Sequence, residues 1–174
     1  NWLCTVTIYW QNLSVFNTVG VVVCIITLSH KISDAYWTTV TRSDTEFNVI
    51  IQQNRLFKKL NEEIVYLSRY CNIKSDIYLS TNKCIEDKWI PSLLALYPDM
   101  QPSDILNVKV MRSPHAAPVP IKNSIYYLNK SNIKFDNFFY KGFENIYPED
   151  RGVGNSAILG VKLGKEIEIS YKNS

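Results

Sequence analysis

The sequence predicts an α+β fold with an N-terminal apolar helix, a long amphipathic helix and a small mixed domain that contains an antiparallel sheet. Three observations lead to this prediction. Residues 12–30 form an uncharged apolar run, apolar residues over 43–70 recur at helical spacing, and apolar residues alternate after residue 104. The corresponding domains are a membrane anchor over 1–33, a stalk helix over 34–71 and a small α+β domain over 72–174.

The composition excludes several classes of protein. Of the 174 residues, 46% are apolar and 20% are charged, which is typical of a folded domain and excludes a disordered chain. The net charge of +3 is too small for an extended nucleic-acid footprint, so we expect no nucleic-acid partner. The chain has two histidines, which argues against a multi-histidine metal centre. We expect no metal and no cofactor.

The uncharged run over residues 12–30 is the most informative stretch. No Asp, Glu, Lys or Arg precedes Lys31. As a helix, rising about 1.5 Å per residue, the run would reach roughly the 30 Å of a hydrocarbon core. Trp10 and Trp37 would flank it at interface depth. The main prediction is therefore a single-pass membrane helix; the alternatives are a buried strand over the β-branched residues 19–28 and a signal peptide.

The orientation of such a membrane protein is open from the sequence. Lys31 and Arg42 follow the apolar run, which by the positive-inside rule would place the C-terminal part in the cytoplasm. The cysteines farther along the chain look oxidised, which favours the opposite side. We expect an extracytoplasmic C-terminal domain.

The stalk helix is predicted to begin near Ser43 and to end near Tyr70. Its apolar positions, the last four of them at 3-4-3 spacing, are Ile50, Phe57, Leu60, Ile64 and Leu67. This spacing indicates a short coiled-coil seam, through which we expect homo- or hetero-oligomers with protein partners. The alternative is a long core helix packed on a sheet.

Cys71 and Cys84 bracket a short loop, and we expect a disulfide between them. Two reduced, buried thiols are the alternative. A zinc site is disfavoured because the sequence has no second close cysteine pair and no nearby histidine. Cys4 and Cys24 are expected to be buried in the apolar N-terminal part.

The small domain is predicted to open with a helix over 86–97 that Pro98 ends, with Pro91 in its first turn. A strand over 104–111 and a stiff proline-rich loop over 113–120 follow.

The C-terminal part is predicted to add a strand over 124–128, an aromatic core segment over 133–143 and a final hairpin. In that hairpin, 157–163 and 166–171 are strands joined by a turn at Gly164.

The candidates for chemistry are weak, and we expect no catalytic residue. His115 would need a carboxylate and a nucleophile to converge on it. The pair Gly152 and Gly154 resembles the start of a phosphate loop, but the remaining glycine and lysine of such motifs are missing, so a turn is expected. Glu166 and Glu168 alternate with apolar residues, as on the exposed face of a strand.

The order of anchor, heptad-like helix and small domain resembles the PilN/PilO/GspL/GspM-type bitopic assembly-platform proteins of type IV pili and type II secretion. The nearest local match runs from Trp89 through the leucines to Asp99 and into the strand that starts at Ile105. In that family a similar leucine-rich helix precedes a strand of a ferredoxin-like domain. The resemblance implies dimerisation and a link between envelope components, without enzyme activity.

The main expectation is thus a membrane-anchored, non-enzymatic structural or assembly component of a cell-envelope machine. A first alternative is the extracytoplasmic domain of a membrane sensor or regulator that binds a small apolar ligand. The pocket expected for this ligand would be lined by Tyr126, Phe138, Phe139 and Tyr140. A second alternative is a soluble enzyme or viral protein in which residues 19–28 are a buried strand.

Overall fold

The structure, a computed structural model, describes residues 17–57, 62–123, 139–150 and 152–172. The chain divides into two compact units. One unit comprises residues 19–116, and the other combines residues 1–18 with 117–174.

A five-stranded sheet is the main feature of the first unit. Its strands are β1 (Asn17–Leu28), β2 (Trp37–Thr39), β3 (Val49–Gln52), β4 (Glu63–Cys71) and β5 (Ile105–Val119). They lie in the order β2-β3-β4-β1-β5, and β3 pairs antiparallel with β2 and β4, as β4 does with β1. The N–H of Ser29, just after β1, donates to the carbonyl oxygen of Asp104, just before β5, at 2.9 Å. The end of β1 therefore lies beside the start of β5, so these strands also run in opposite directions.

The described helices are α1 (Gln53–Leu56), α2 (Asp76–Leu79), α3 (Asn82–Leu96) and α4 (Val153–Lys172). Two 3-10 turns cover Pro102–Asp104 and Phe143–Ile146. Thr81 caps α3, because its side-chain oxygen accepts from the N–H of Cys84 at 3.2 Å. Pro91 lies inside α3 and not in its first turn.

The core of the first unit lies between one face of the sheet and α3. Along β1, buried and half-buried residues alternate strictly from Val19 to Leu28, as a strand with two different faces requires. The buried set includes Val22 and Ile26, and Trp89 from α3 is also fully buried. The ring of Trp89 meets that of Phe47 at 5.7 Å between centroids, tilted by 59°. Burial of this face holds the helix on the sheet.

One glycine of β1 is required by a close approach. A β-carbon at Gly20 would come within 2.9 Å of side-chain atoms of both Ile73 and Tyr78. Glycine at this position therefore allows the α2 region to contact the strand directly.

Polar side chains fix the loops around this core. The guanidinium of Arg112 on β5 donates to the carbonyl oxygens of Tyr78 (2.9 Å) and Ser80 (2.6 Å) and to Oδ1 of Asn82 (2.6 Å). Gln52, only 1% exposed, donates through Nε2 to the carbonyl oxygen of Ala35 at 2.7 Å. Because buried polar groups are costly without partners, these bonds define the loop conformations.

The coarse fold class is confirmed: the chain is α+β with an antiparallel sheet. The predicted N-terminal membrane helix is wrong, because Asn17–Leu28 is the strand between β4 and β5. Its β-branched residues favour the extended conformation. Residues 12–16 lie outside the described part. None of the helices that the structure describes has both the length and the apolar character needed to cross a membrane.

The stalk helix predicted over 34–71 is also wrong. That stretch contains β2, β3, the short α1 and β4. The 3-4-3 spacing of apolar residues does not mark a helix face here. Ile64 and Leu67 are three residues apart in β4 and therefore lie on opposite faces of the strand.

The final hairpin over 157–171 is wrong as well, because these residues belong to α4. The half-buried residues of this helix are four apart, at Asn155, Leu159, Leu163 and Ile167. This spacing places the half-buried residues on one face of a helix. The alternation of glutamate and isoleucine, which predicts a strand, covers only a few residues of this longer helical pattern.

Candidate functional site

The face of the sheet opposite α3, called here the outward face, is the first candidate site. Paired residues of neighbouring strands point to the same side of a sheet, so the strand register defines this face. Trp37 pairs with Ile51, Ile51 with Tyr66, and Tyr66 with Ile25. These four side chains form one row across β2, β3, β4 and β1.

Two further rows continue the outward face along the strands. The second row consists of Thr39, Val49, Ser68 and Val23, and the third contains Tyr70 and Val21. Trp37 is 54% exposed and Tyr70 is 59% exposed. The outward face is therefore apolar, with exposed aromatic rings on the edge strand β2 and near the end of β4.

Charge is scarce on the outward face. On β1 to β4 none of the described outward residues is ionisable except tyrosine. On β5, Val110 belongs to the core, so Lys109 and Met111 point outward by alternation. Lys109 is thus the single ammonium group among the described residues of the outward face, and it lies on an edge strand.

The inward side of the same sheet carries the buried thiol of Cys24. Burial, with a smaller contribution from the charge of Glu86, raises the pKa of the Cys24 thiol to about 12. A thiol that stays protonated at physiological pH is a poor nucleophile and a poor metal ligand. Cys24 therefore acts as a core residue, as the sequence predicts for it.

The second candidate site lies in the other unit, just before α4. A β-carbon at Gly142 would overlap the hydroxyl of Tyr140 and the carboxylate of Glu144, so these two groups converge over the glycine. Burial raises the pKa of Glu144, and burial together with the charge of Glu144 raises the pKa of Tyr140. Oε1 of Glu144 is buried and has no hydrogen-bond partner among the described residues. Such a pair can hold or pass a proton.

The start of α4 completes this second region. A β-carbon at Gly152 or Gly154 would meet no atom of the described residues within 4 Å, so among these residues the first turn has open space beside it. The N–H of Ser156 donates to the carbonyl oxygen of Gly152 at 3.0 Å, and Nδ2 of Asn155 donates to the carbonyl oxygen of Asp150 at 2.7 Å. The N–H groups of Val153, Gly154 and Asn155 belong to the first turn of α4, where the helix dipole favours an anion.

The residues proposed for the stalk seam do not form one surface. Ile50 and Leu67 are buried in the core, Ile64 is half-buried on the outward face, and Phe57 is 53% exposed at the end of α1. Leu60 lies outside the described residues. Oligomerisation of the chain stays a prediction, but not through a seam of this kind.

The other sequence-based candidates are dispersed. Cys71 ends β4, Cys84 lies in the first turn of α3, and both are free and half-buried, so the predicted disulfide is not formed in this structure. Glu166 and Glu168 lie on α4 and pair separately with Lys141 at 3.6 Å and with Lys172 at 2.6 Å. They are not a carboxylate pair on a strand.

His115 is exposed within β5. In the described part of the chain, no three His, Cys, Asp or Glu side chains form a group that could hold a metal ion. Of the pocket predicted for a sensor, Phe139 and Tyr140 are described, whereas Tyr126 and Phe138 lie outside the described residues.

Comparison with known proteins gives a result at the level of structure alone. No family model and no curated protein sequence matches the chain. A crystal structure of reduced UDP-galactopyranose mutase is similar with a TM-score of 0.53 and 16% identity, over 69% of this chain and 26% of that one. A putative protoporphyrinogen oxidase from Exiguobacterium sp. 255-15 is similar with a TM-score of 0.58 and 6% identity, over 70% of this chain and 28% of that one. The likeness concerns the fold, and the chain spans about a quarter of each neighbour.

These findings correct the functional predictions. The fold is shared with parts of a mutase and an oxidase, so the prediction of a pilus or secretion assembly component is wrong. The single-pass membrane localisation is wrong because it required a helix where β1 lies. The helix α3 is followed by the strand β5, which is the order on which the pilus resemblance is based. The comparisons with known proteins do not test that resemblance.

Proposed function

We propose that the chain is part of a redox enzyme and that the outward face of its sheet forms one wall of the substrate site. The observation that carries the proposal is the shared fold, joined to a sheet face that is apolar, aromatic and nearly uncharged. Ligand sites are typically mostly apolar surfaces with few polar groups, as this face is.

Both structural neighbours are named for states or reactions that involve electrons. One is a mutase described as reduced, and the other is an oxidase. Enzymatic electron transfer needs a redox-active group, and flavins are among the organic groups that supply this chemistry. The proposal therefore includes a flavin, against the expectation from the sequence that no cofactor is present.

The start of α4 offers backbone N–H groups that a flavin nucleotide could use. The phosphates of the nucleotide need a positive, sterically open site, and the first turn of α4 has open space at Gly152 and Gly154. In this proposal the N–H groups of Val153, Gly154 and Asn155 would hold the phosphates. A flavin, when bound, would supply redox chemistry.

The chain's own residues have separate roles in this scheme. Tyr66 and Ile25 would bind and orient the substrate and exclude water from one side of it. Burial raises the pKa of Glu144, so this carboxyl would take up and release a proton beside Tyr140 at a higher pH than an exposed glutamate. The outward face would thus bind the substrate, and Glu144 would carry a proton.

The test is the visible absorption spectrum of the native protein that contains this chain, isolated with an antibody raised against residues 82–96. We expect the absorption bands of an oxidised flavin, which bleach on reduction with dithionite and return in air. The matched control is the same preparation after heat denaturation and filtration, in which the chromophore should pass into the filtrate. A native protein without any visible chromophore before or after denaturation would refute the proposal.

A further inference from the structure

The outward face also indicates which class of substrate it accepts. The two structural neighbours are named for very different molecules, a nucleotide sugar and a porphyrinogen. From the chemistry of the outward face we infer that the molecule it contacts is apolar and ring-bearing, and not a nucleotide diphosphate. This inference rests on the proposed function, since it assumes that the outward face borders the substrate.

The charge of the outward face does not suit a nucleotide diphosphate. A nucleotide diphosphate carries at least two negative charges, which proteins neutralise with arginine, lysine or helix N-termini. The described outward positions contain no arginine, and their single ammonium group is that of Lys109. Lys109 lies on β5 at one edge of the sheet, whereas Trp37 lies on β2 at the other edge. A diphosphate on the central rows would therefore lose its hydration without a cationic partner.

The arginine side chains that the sheet does carry belong to its inward side. Arg69 and Arg112 follow the inward register of β4 and β5. A guanidinium N–H of Arg69 donates to the carbonyl oxygen of Glu46 at 2.9 Å, and Arg112 is bound to three loop acceptors. Neither guanidinium is available to a ligand on the outward face.

The dimensions of the outward face match those of a multi-ring molecule. Neighbouring strands are about 4.8 Å apart, so the row from Trp37 to Ile25 spans about 14 Å over three strand spacings. The two tyrosines of β4, Tyr66 and Tyr70, lie on the same face four residues apart along the strand, about 14 Å at 3.4 Å per residue. This patch, with aromatic rings on β2 and β4 and aliphatic groups on β3 and β1, suits a multi-ring molecule that stacks on the rings and buries its faces.

The experiment compares two probes on the full-length protein. 1-Aminoanthracene is a neutral fluorescent three-ring compound, and UDP-galactose represents the nucleotide sugars. We expect fluorescence enhancement and saturable binding with the first probe and no heat of binding with the second. We expect Tyr66→Ser to weaken binding of 1-aminoanthracene by about tenfold, since loss of one aromatic contact and its buried area is worth about 1.4 kcal/mol.

A matched pair of exposed positions keeps the test informative if Tyr66→Ser fails to fold. Trp37→Ala removes a 54% exposed ring of the outward face, whereas Leu79→Ala removes a 68% exposed side chain on α2. We expect the first variant to weaken probe binding several-fold and the second to leave it unchanged. Equal effects of the two variants, or probe binding that neither Tyr66→Ser nor Trp37→Ala reduces, would overturn the inference.

Other outcomes separate this inference from the proposed function. Tight binding of UDP-galactose to a protein that holds a flavin would overturn the substrate class and leave the redox enzyme standing. Face-dependent probe binding by a protein without a flavin would refute the redox enzyme and leave the apolar binding face. Dimers that Trp37→Ala dissociates in analytical ultracentrifugation would show that a second copy covers the outward face, against the inference.

Discussion

Ile25 and Ile26 are adjacent, identical side chains on opposite faces of β1, and they allow a matched test of the fold. Ile26 is fully buried and pairs with Val65, whereas Ile25 is half-buried on the outward face and pairs with Tyr66. Isoleucine to alanine removes about three carbon groups, worth about 0.8 kcal/mol each when fully buried. At position 26 the remaining cavity raises the cost to about 2–5 kcal/mol. At position 25 the side chain is half-buried and its removal leaves no cavity, so the expected loss of stability is about half of the transfer free energy, about 1 kcal/mol.

The assay is urea unfolding of Ile25→Ala, Ile26→Ala and the parent chain, followed by circular dichroism. With a denaturant slope of about 2 kcal/mol per M, a loss of 3 kcal/mol lowers the midpoint by about 1.5 M, and a loss of 1 kcal/mol lowers it by about 0.5 M. We expect the larger shift for Ile26→Ala. Equal shifts, or a larger one for Ile25→Ala, would refute the assignment of these residues to opposite faces of a strand.

Three further predictions concern other parts of the chain. The Cys24 thiol has a pKa near 12 in the folded chain against an ordinary 9.0, so its contribution to stability is complete below pH 9. As the pH rises from 9 toward 12 the contribution is lost by up to about 1.4 kcal/mol per unit, and unfolding curves of Cys24→Ala should lack this extra slope. Arg112→Ala should cost about 1.5–3 kcal/mol in urea unfolding, and Arg112→Lys should restore at most part of it. Glu144→Gln should have a higher melting temperature than the parent chain at pH 7 and an equal one at pH 3. Burial disfavours the ionised form of Glu144 and so raises its pKa, and glutamine removes this cost only where the glutamate is ionised. A lower melting temperature for the variant at pH 7 would contradict this.

The sequence misleads most at β1, and the reason is physical. A half-exposed strand usually alternates apolar and polar residues, and this alternation identifies it. In β1 the outward residues from Val19 to Ile25 are as apolar as the buried ones. The sequence therefore shows no alternation of apolar and polar residues that would identify a strand. The property that makes the outward face a candidate site therefore also makes the strand resemble a membrane helix. The β-branched composition of residues 19–28 was the one signal that favoured the strand.

Local signals succeed where packing and local preference agree. The helix predicted over 86–97 exists as α3, although it begins earlier, at Asn82, behind the Thr81 cap. The strand predicted over 104–111 exists as β5 and continues to Val119 through a stretch predicted to be a loop. Prolines within this extension are compatible with an edge strand, since an edge leaves N–H groups unpaired.

The candidate sites depend on information that no short stretch of sequence holds. The row from Trp37 to Ile25 joins four strands and follows only from their register. The convergence of Tyr140 and Glu144 depends on the backbone path at Gly142. The incomplete glycine motif predicts a turn at Gly152 and Gly154, whereas in the structure a 20-residue helix begins directly after Gly152.

Cysteine scanning of β1 tests most directly the central claim that this strand presents its outward residues to an apolar ligand. In a background with the four native cysteines replaced by alanine, single cysteines are introduced and their maleimide labelling rates are measured with and without 1-aminoanthracene. The positions are Val21, Val22, Val23, Ile25 and Ile26. We predict fast labelling at 21, 23 and 25 that the probe slows, and slow labelling at 22 and 26. Labelling that repeats every three to four residues, or that the probe leaves unchanged at all five positions, would contradict the claim.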